Sequence, residues 1–138
     1  MSAPTKFNET RPYNNRRTIT SLIGTAWVGI DTQEPYQWRV DHIYVTSTSA
    51  AIATIQLAWN DAAGTTQWII GSKQLAANQG TDGSATIDLL AEIMGAGNDG
   101  LAFDGGSLGA SEGCSVRVVA ALGAGEEIYV VATGGILG

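Results

Sequence analysis

Residues 114–122, CSVRVVAAL, and residues 126–137, EEIYVVATGGIL, decide the fold of this chain. Both alternate. Val116, Val118 and Ala120 fall on one side of an extended segment and Ser115, Arg117 and Val119 on the other, while Ile128 and Val130 take the inward places of the second run. Successive side chains of a strand point to opposite faces, so a period of two marks strands with one buried face. The short turn Gly123-Ala124-Gly125 between the two runs reads as the loop of a β-hairpin.

The same signal recurs toward the N-terminus. AIATIQLAW (51–59) places Ala53, Ile55, Leu57 and Trp59 on one face, QWRVDHIYVTS (37–47) is rich in β-branched and aromatic residues, and TTQWII (65–70) follows the turn residues Asn60–Gly64. Thr18–Ile23 and Ala26–Ile30 are shorter runs split by Gly24-Thr25, and LAF (101–103) is a brief strand between glycine-rich connections. Residues 71–83 read as a polar loop. One segment changes period: in SATIDLLAEIMG (84–95), Ile87, Leu90, Ala91 and Met94 recur at helical spacing, with Ser84 or Thr86 as N-cap, Asp88 near the start and Gly95 as terminator. About eight short strands and one short helix predict an all-β fold, an antiparallel β-sandwich of the jelly-roll kind.

Composition sets the function classes. The chain has 138 residues, of which 44% are hydrophobic and only 14% charged, with a net charge of −6. An ordinary soluble domain carries about 25% charged residues, so part of this surface is expected to be covered by other chains. Residues 1–20 hold Lys6, Arg11, Arg16 and Arg17 against Glu9, a net of +3, whereas the remainder holds Arg39, Lys73 and Arg117 against twelve acids, a net of −9. The predicted organisation is an extended basic N-terminal arm, 1–17, on an acidic β-sandwich body, 18–138. The arm has scarcely any aliphatic residue and cannot form a core by itself. Its Lys6, Arg11, Tyr13, Arg16 and Arg17 are the candidate partner-binding residues, and deleting 1–17 is expected to leave the stability of the body unchanged. A nucleic-acid partner is disfavoured because the acidic body repels phosphate. No apolar run reaches the length of about 20 residues that crosses a bilayer, and MSAPTKFNET lacks the apolar stretch of a secretory signal, so no membrane partner is expected and assembly is expected in the cytoplasm.

Catalytic patterns are weak. GGSLGASEG contains G-x-S-x-G around Ser107 and around Ser111, but the next run is strand-like, whereas a nucleophile elbow leads into a helix. The single histidine, His42, follows Asp41, and alternation sends adjacent side chains to opposite faces. The single cysteine, Cys114, reads as a small buried hydrophobe beside valines. Asp99, Asp104, Glu112 and the pair Glu126-Glu127 read as turn and strand-start acids. No enzyme, catalytic residue, metal ligand or cofactor is therefore expected. Trp27, Trp38, Trp59 and Trp68 would serve a glycan-binding jelly roll if exposed, although each lies in a strand where packing is the commoner role.

Over roughly residues 37 to 137, the order VDHIYVTSTSAAIATIQLAW, polar loop, ATIDLLAEIMG, glycine-rich turn, GCSVRVVAAL and GEEIYVVATGGIL resembles small jelly-roll structural proteins in the virions of tailed bacteriophages. The resemblance implies a capsid decoration (cement) protein, or a related tail or baseplate component. Such proteins typically form homotrimers on the head surface and lay terminal arms on the major capsid protein. Members often carry a Gly-Asp turn where this chain has Glu112-Gly113-Cys114, and no residue role is transferred.

Overall fold

The structure is a computed structural model that describes residues 11–30, 38–60, 67–81, 85–103 and 112–136. Among the described residues, nine strands form two antiparallel sheets packed as a sandwich. Sheet A holds β1 (Arg11–Thr20), β9 (Glu127–Ile136), β3 (Trp38–Ser47) and β6 (Ile87–Asp88) in that order, with β7 (Leu101–Phe103) also paired to β3. Sheet B runs β2 (Val28–Gly29), β8 (Gly113–Val118), β4 (Ala53–Asn60), β5 (Gln67–Leu75). The chain alternates between the sheets through β1 to β4 and again through β7 to β9, which is the strand order of a jelly roll.

The inner faces meet as the alternation dictates. Val40, Ile43 and Val45 of β3 and Ile128, Val130 and Ala132 of β9 oppose Ile55 and Leu57 of β4 and Cys114, Val116 and Val118 of β8, all of them buried. Phe103 closes one end of this layer between Trp38, at 4.4 Å between ring centroids, and Trp59, at 4.7 Å. Each fully buried aliphatic or aromatic side chain contributes about 1.5–3 kcal/mol.

The closing hairpin is the first correction. Val116 and Val118 of β8 and Ile128 and Val130 of β9 are inward as the alternation predicts, but Ala120 lies past the end of β8 and is exposed. The two strands lie in different sheets: β8 pairs with β2 and β4, and β9 with β1 and β3. Residues 119–126 cross between the layers, and Leu122 is buried on the way. Alternation reports which face of a strand is buried and is silent on its neighbour.

The second correction is the boundary expected between residues 17 and 18, which falls inside β1. Arg11 to Thr20 pair with β9 in unbroken register, from Arg11 opposite Ile136 to Thr20 opposite Glu127. Two inward positions of β1 are polar, so its sequence lacks the apolar alternation that marks a strand. Asn15 and Arg17 face the mouth of the sandwich, where Asn15 Nδ2 donates to the Ile30 carbonyl at 2.6 Å and Arg17 Nε to the Gly29 carbonyl at 2.8 Å.

The sequence also understates β5, which continues through Gly71–Leu75 where a loop was expected, paired with β4 as far as Leu75 opposite Ala53. The helix α1 (Leu89–Met94) is shorter than the pattern predicts. Asp88 is its N-cap, accepting from the Leu90 amide, and Gly95 its C-cap; Leu89 and Leu90 are buried while Met94 is exposed.

One bulge shapes the outer surface of sheet A. Val40 pairs with Gly134 and His42 with Thr133, so Asp41 is an extra residue in β3. Gly134 makes room for it: a Cβ there would lie 1.8 Å from the Arg39 carbonyl oxygen. Gly100, at φ +81°, lies against the other side of the bulge, where a Cβ would come within 2.5 Å of the Val40 carbonyl oxygen.

Candidate functional site

The bulge at Asp41 overturns one expectation. Alternation placed Asp41 and His42 on opposite faces, yet Arg39, Asp41 and His42 line one open hollow together with Asn98 and Asp99. Arg39 Nε donates to Asp41 Oδ1 at 2.6 Å, and this bond, with the charge of Asp41 and a smaller contribution from Asp99, raises the Arg39 pKa. His42 is paired with Asp88 instead of Asp41. Its Nδ1 lies 2.7 Å from Asp88 Oδ2, and its ring stacks on Tyr44 at 5.4 Å between centroids and 18° between planes. Asp88 Oδ1 accepts from the amides of Ile43, at 3.1 Å, and Leu90, at 3.2 Å, so one carboxylate ties β3, β6 and α1 together. An imidazole oriented by a carboxylate is two thirds of a hydrolytic triad. Among the described residues, His42 hydrogen-bonds to no serine, threonine or cysteine, and Cys114 is buried in the core. Ser107 and Ser111 lie outside the described residues; the chain after them enters β8, a strand.

The outer face of sheet A is open and ordered in cross-strand rows. The pairings align Asn14, Thr133 and His42; then Arg16, Val131, Tyr44 and Asp88; then Thr18, Tyr129 and Thr46. Arg16, Thr18, Tyr44 and Tyr129 are exposed. The Tyr129 hydroxyl donates to Glu127 Oε1 at 2.8 Å, and that bond holds its pKa above the ordinary phenol value.

The outer face of sheet B differs. Ala58, Asn60 and Ser115 point away from the core and are nevertheless buried, with Ser115 Oγ donating to Asn60 Oδ1 at 2.9 Å. Arg117 lies over the Trp27 ring, 4.6 Å from its centroid, and donates to Gln56. The edge strand β5 instead carries two large apolar side chains in solvent, Trp68 at 53% exposure and Ile69 at 54%. Of the four tryptophans, Trp38 is buried, the half-buried Trp59 packs on Phe103, the half-buried Trp27 lies under Arg117, and Trp68 is the one that is mostly exposed. That leaves little of the aromatic platform that a glycan-binding reading needs.

The candidate partner-binding residues are divided by β1. Lys6 lies outside the described residues. Arg11 and Tyr13 occupy β1 opposite Ile136 and Gly134. Arg16 projects outward and is exposed, while Arg17 is engaged internally with Gly29, Asn15 and the Arg16 carbonyl. Arg17 is thus a structural strap between the sheets, a role that composition could not reveal because it depends on which strand lies across the mouth.

Neither a family model nor a curated protein matches the chain. Among the described residues no three His, Cys, Asp or Glu side chains converge as metal ligands, and no helix is long and apolar enough to cross a membrane.

Proposed function

We propose that this chain is a structural protein of a tailed-bacteriophage virion, a decoration (cement) protein that binds the outside of the head and stabilises it without enzymatic activity. The observation that carries the reading is the jelly-roll strand order, β1-β9-β3-β6 over β2-β8-β4-β5, in a chain this poor in charge. It is the architecture that the resemblance implies. Solvent-exposed Trp68 and Ile69 on the β5 edge supply an apolar contact of the kind a soluble monomer avoids at a strand edge. Of the candidate contacts for an acidic partner such as the major capsid protein, Lys6, Arg11, Tyr13 and Arg16 remain in this reading, Arg16 being exposed on the outer face, while Arg17 is engaged with Gly29. An exposed ion pair is worth only about 0–1 kcal/mol, so attachment by such contacts depends on many copies acting together.

The test is a cryo-EM comparison of phage particles made with and without this gene. The reading expects a jelly-roll density on the head exterior in the first and bare heads, less resistant to heat, in the second. Density confined to the tail or baseplate, or two indistinguishable particles, would reject the head assignment.

A further inference from the structure

The row Arg16–Val131–Tyr44–Asp88 crosses the whole width of sheet A with a cation at one end, a carboxylate at the other and an apolar and an aromatic residue between. Strands lie about 4.8 Å apart, so the two charged residues are separated by roughly 14 Å within one copy. That is beyond the reach of an internal ion pair. We propose that the outer face of sheet A is a self-association surface, on which a second copy packs face to face about a two-fold axis parallel to the strands between β9 and β3.

The rows themselves select this occupant. A two-fold so placed reverses each row against its own copy. Arg16 meets the partner copy's Asp88 twice over, and Val131 meets the partner copy's Tyr44. In the flanking rows Tyr129 meets Thr46 and Thr133 meets His42, so no row sets like charges against each other. The charged row is also the middle one of the face, where the twist between packed sheets, about 30°, disturbs alignment least. The face bears Arg16 against Asp88 and Glu127, so it is no cationic patch for nucleic acid or for a strongly acidic shell. Sheet B offers no equivalent, since its outer face already buries Ala58, Asn60 and Ser115 and stacks Arg117 on Trp27.

Area sets the strength. Three strands, β1, β9 and β3, each ten residues long at about 3.3 Å per residue and about 4.8 Å wide, give a projected face of roughly 480 Å², to which the two-residue β6 adds little, against about 800 Å² per partner in a standard stable complex. The dimer is therefore weak, concentration-dependent and salt-sensitive. This contact is two-fold and belongs to the chain itself, whether or not the chain is a virion protein.

Sedimentation of the full chain over a micromolar concentration series tests the proposal. Wild type passes from monomer to dimer and shifts toward monomer as salt rises. Arg16→Glu, at an exposed position, melts like wild type but raises the dimer dissociation constant by about tenfold or more. In an Asp88→Asn background, where the side-chain oxygen still accepts from Ile43 and Leu90, the same change has a distinctly smaller effect, because the two residues act on one contact. A Val131→Cys variant, whose native Cys114 is buried, is joined across the axis by a short bismaleimide. A monomer at every concentration, an oligomer indifferent to Arg16→Glu, strictly additive effects of the two changes, or no cross-link would each overturn the proposal.

Discussion

Arg17 of sheet A donates through Nε to the carbonyl oxygen of Gly29 in sheet B at 2.8 Å, closing the mouth of the sandwich at one edge. β2 is only two residues long, Val28–Gly29, and is held to β8 on its other side. A strand so short has little hydrogen bonding of its own, so side chains reaching across from β1 carry part of its stability. Asn15, donating to Ile30, is the second of these straps.

Removing the first strap tests its role. Hydrogen bonds from a charged donor are worth about 1.5–3 kcal/mol, and partial exposure of Arg17 places it near the lower end. Arg17→Ala is expected to lose about 1–2 kcal/mol, whereas Arg16→Ala, exposed on the outer face, stays within about 0.5 kcal/mol of wild type. Urea denaturation of the two variants side by side distinguishes them. Equal midpoints would show that the strap contributes nothing.

Truncation gives a sharper contrast. Deleting residues 1–10 leaves the β1–β9 register intact and should leave the melting temperature nearly unchanged. Deleting residues 1–17 removes seven of the ten residues of β1 and uncovers the β9 edge, so a large loss of stability or aggregation is expected. Thermal melts of both forms check this. A wild-type melt for the longer deletion would return residues 11–17 to the status of a tail.

Gly134→Ala tests the bulge. The added methyl would overlap the Arg39 carbonyl oxygen, a backbone atom that cannot swing aside, so β9 and β3 must separate locally. Strain of this kind costs roughly 1–3 kcal/mol, and amide exchange should quicken first at Val40 and His42. Unchanged protection there would mean that the bulge accommodates a side chain after all.

How much of this was legible in the sequence follows from where apolar residues mark the inward side. β3, β4, β8 and β9 put Val, Ile and Leu inward, and their faces were readable. β1 puts Asn15 and Arg17 inward, and its polar composition made a strand look like an arm. The continuation of β5 through Gly71–Leu75 was hidden for a related reason. Gly71 faces the helix and has Ile93 where a Cβ would lie, 2.6 Å away, so a residue that reads as a loop is there to let α1 approach. The pairing of His42 with Asp88 joins residues 46 apart in the chain, and the meeting of Asp41 with His42 in one hollow needs the bulge. Nothing local in the sequence encodes either.

The buried registers allow a direct test of the core. Val118 is 1% exposed and faces the opposite sheet. Val118→Asp would bury an ionised carboxylate without a partner, or force it to stay protonated, at a cost of several kcal/mol. With domain stabilities of about 5–15 kcal/mol, the variant is expected to be largely unfolded, while Val119→Asp, one position along and exposed, folds normally. Circular dichroism melts separate the two, and a cooperative wild-type-like melt of Val118→Asp would contradict the register.

Acid should loosen the crossing between the sheets. Glu126 accepts from the Ala50 amide at 2.9 Å through Oε2 and from the Gly123 amide at 2.8 Å through Oε1, and these bonds, Ala50 first, hold its pKa below the ordinary glutamate value. Both amides lie in connections, so the carboxylate joins the 119–126 crossing to the turn after β3. A carboxylate with a lowered folded-state pKa binds its proton more readily in the unfolded chain. Its contribution is therefore fully present above the unfolded value near 4.5, declines as pH falls below that, and is gone once pH passes below the depressed folded value. Glu126→Gln removes the titration while keeping one acceptor oxygen. Wild type should exceed the variant in stability near neutral pH, and the difference should shrink as pH drops below about 4.5. Melting temperatures of the pair from pH 7 down to pH 3 check the sign: a difference that holds constant or widens on acidification would show that the Glu126 charge does not stabilise the crossing.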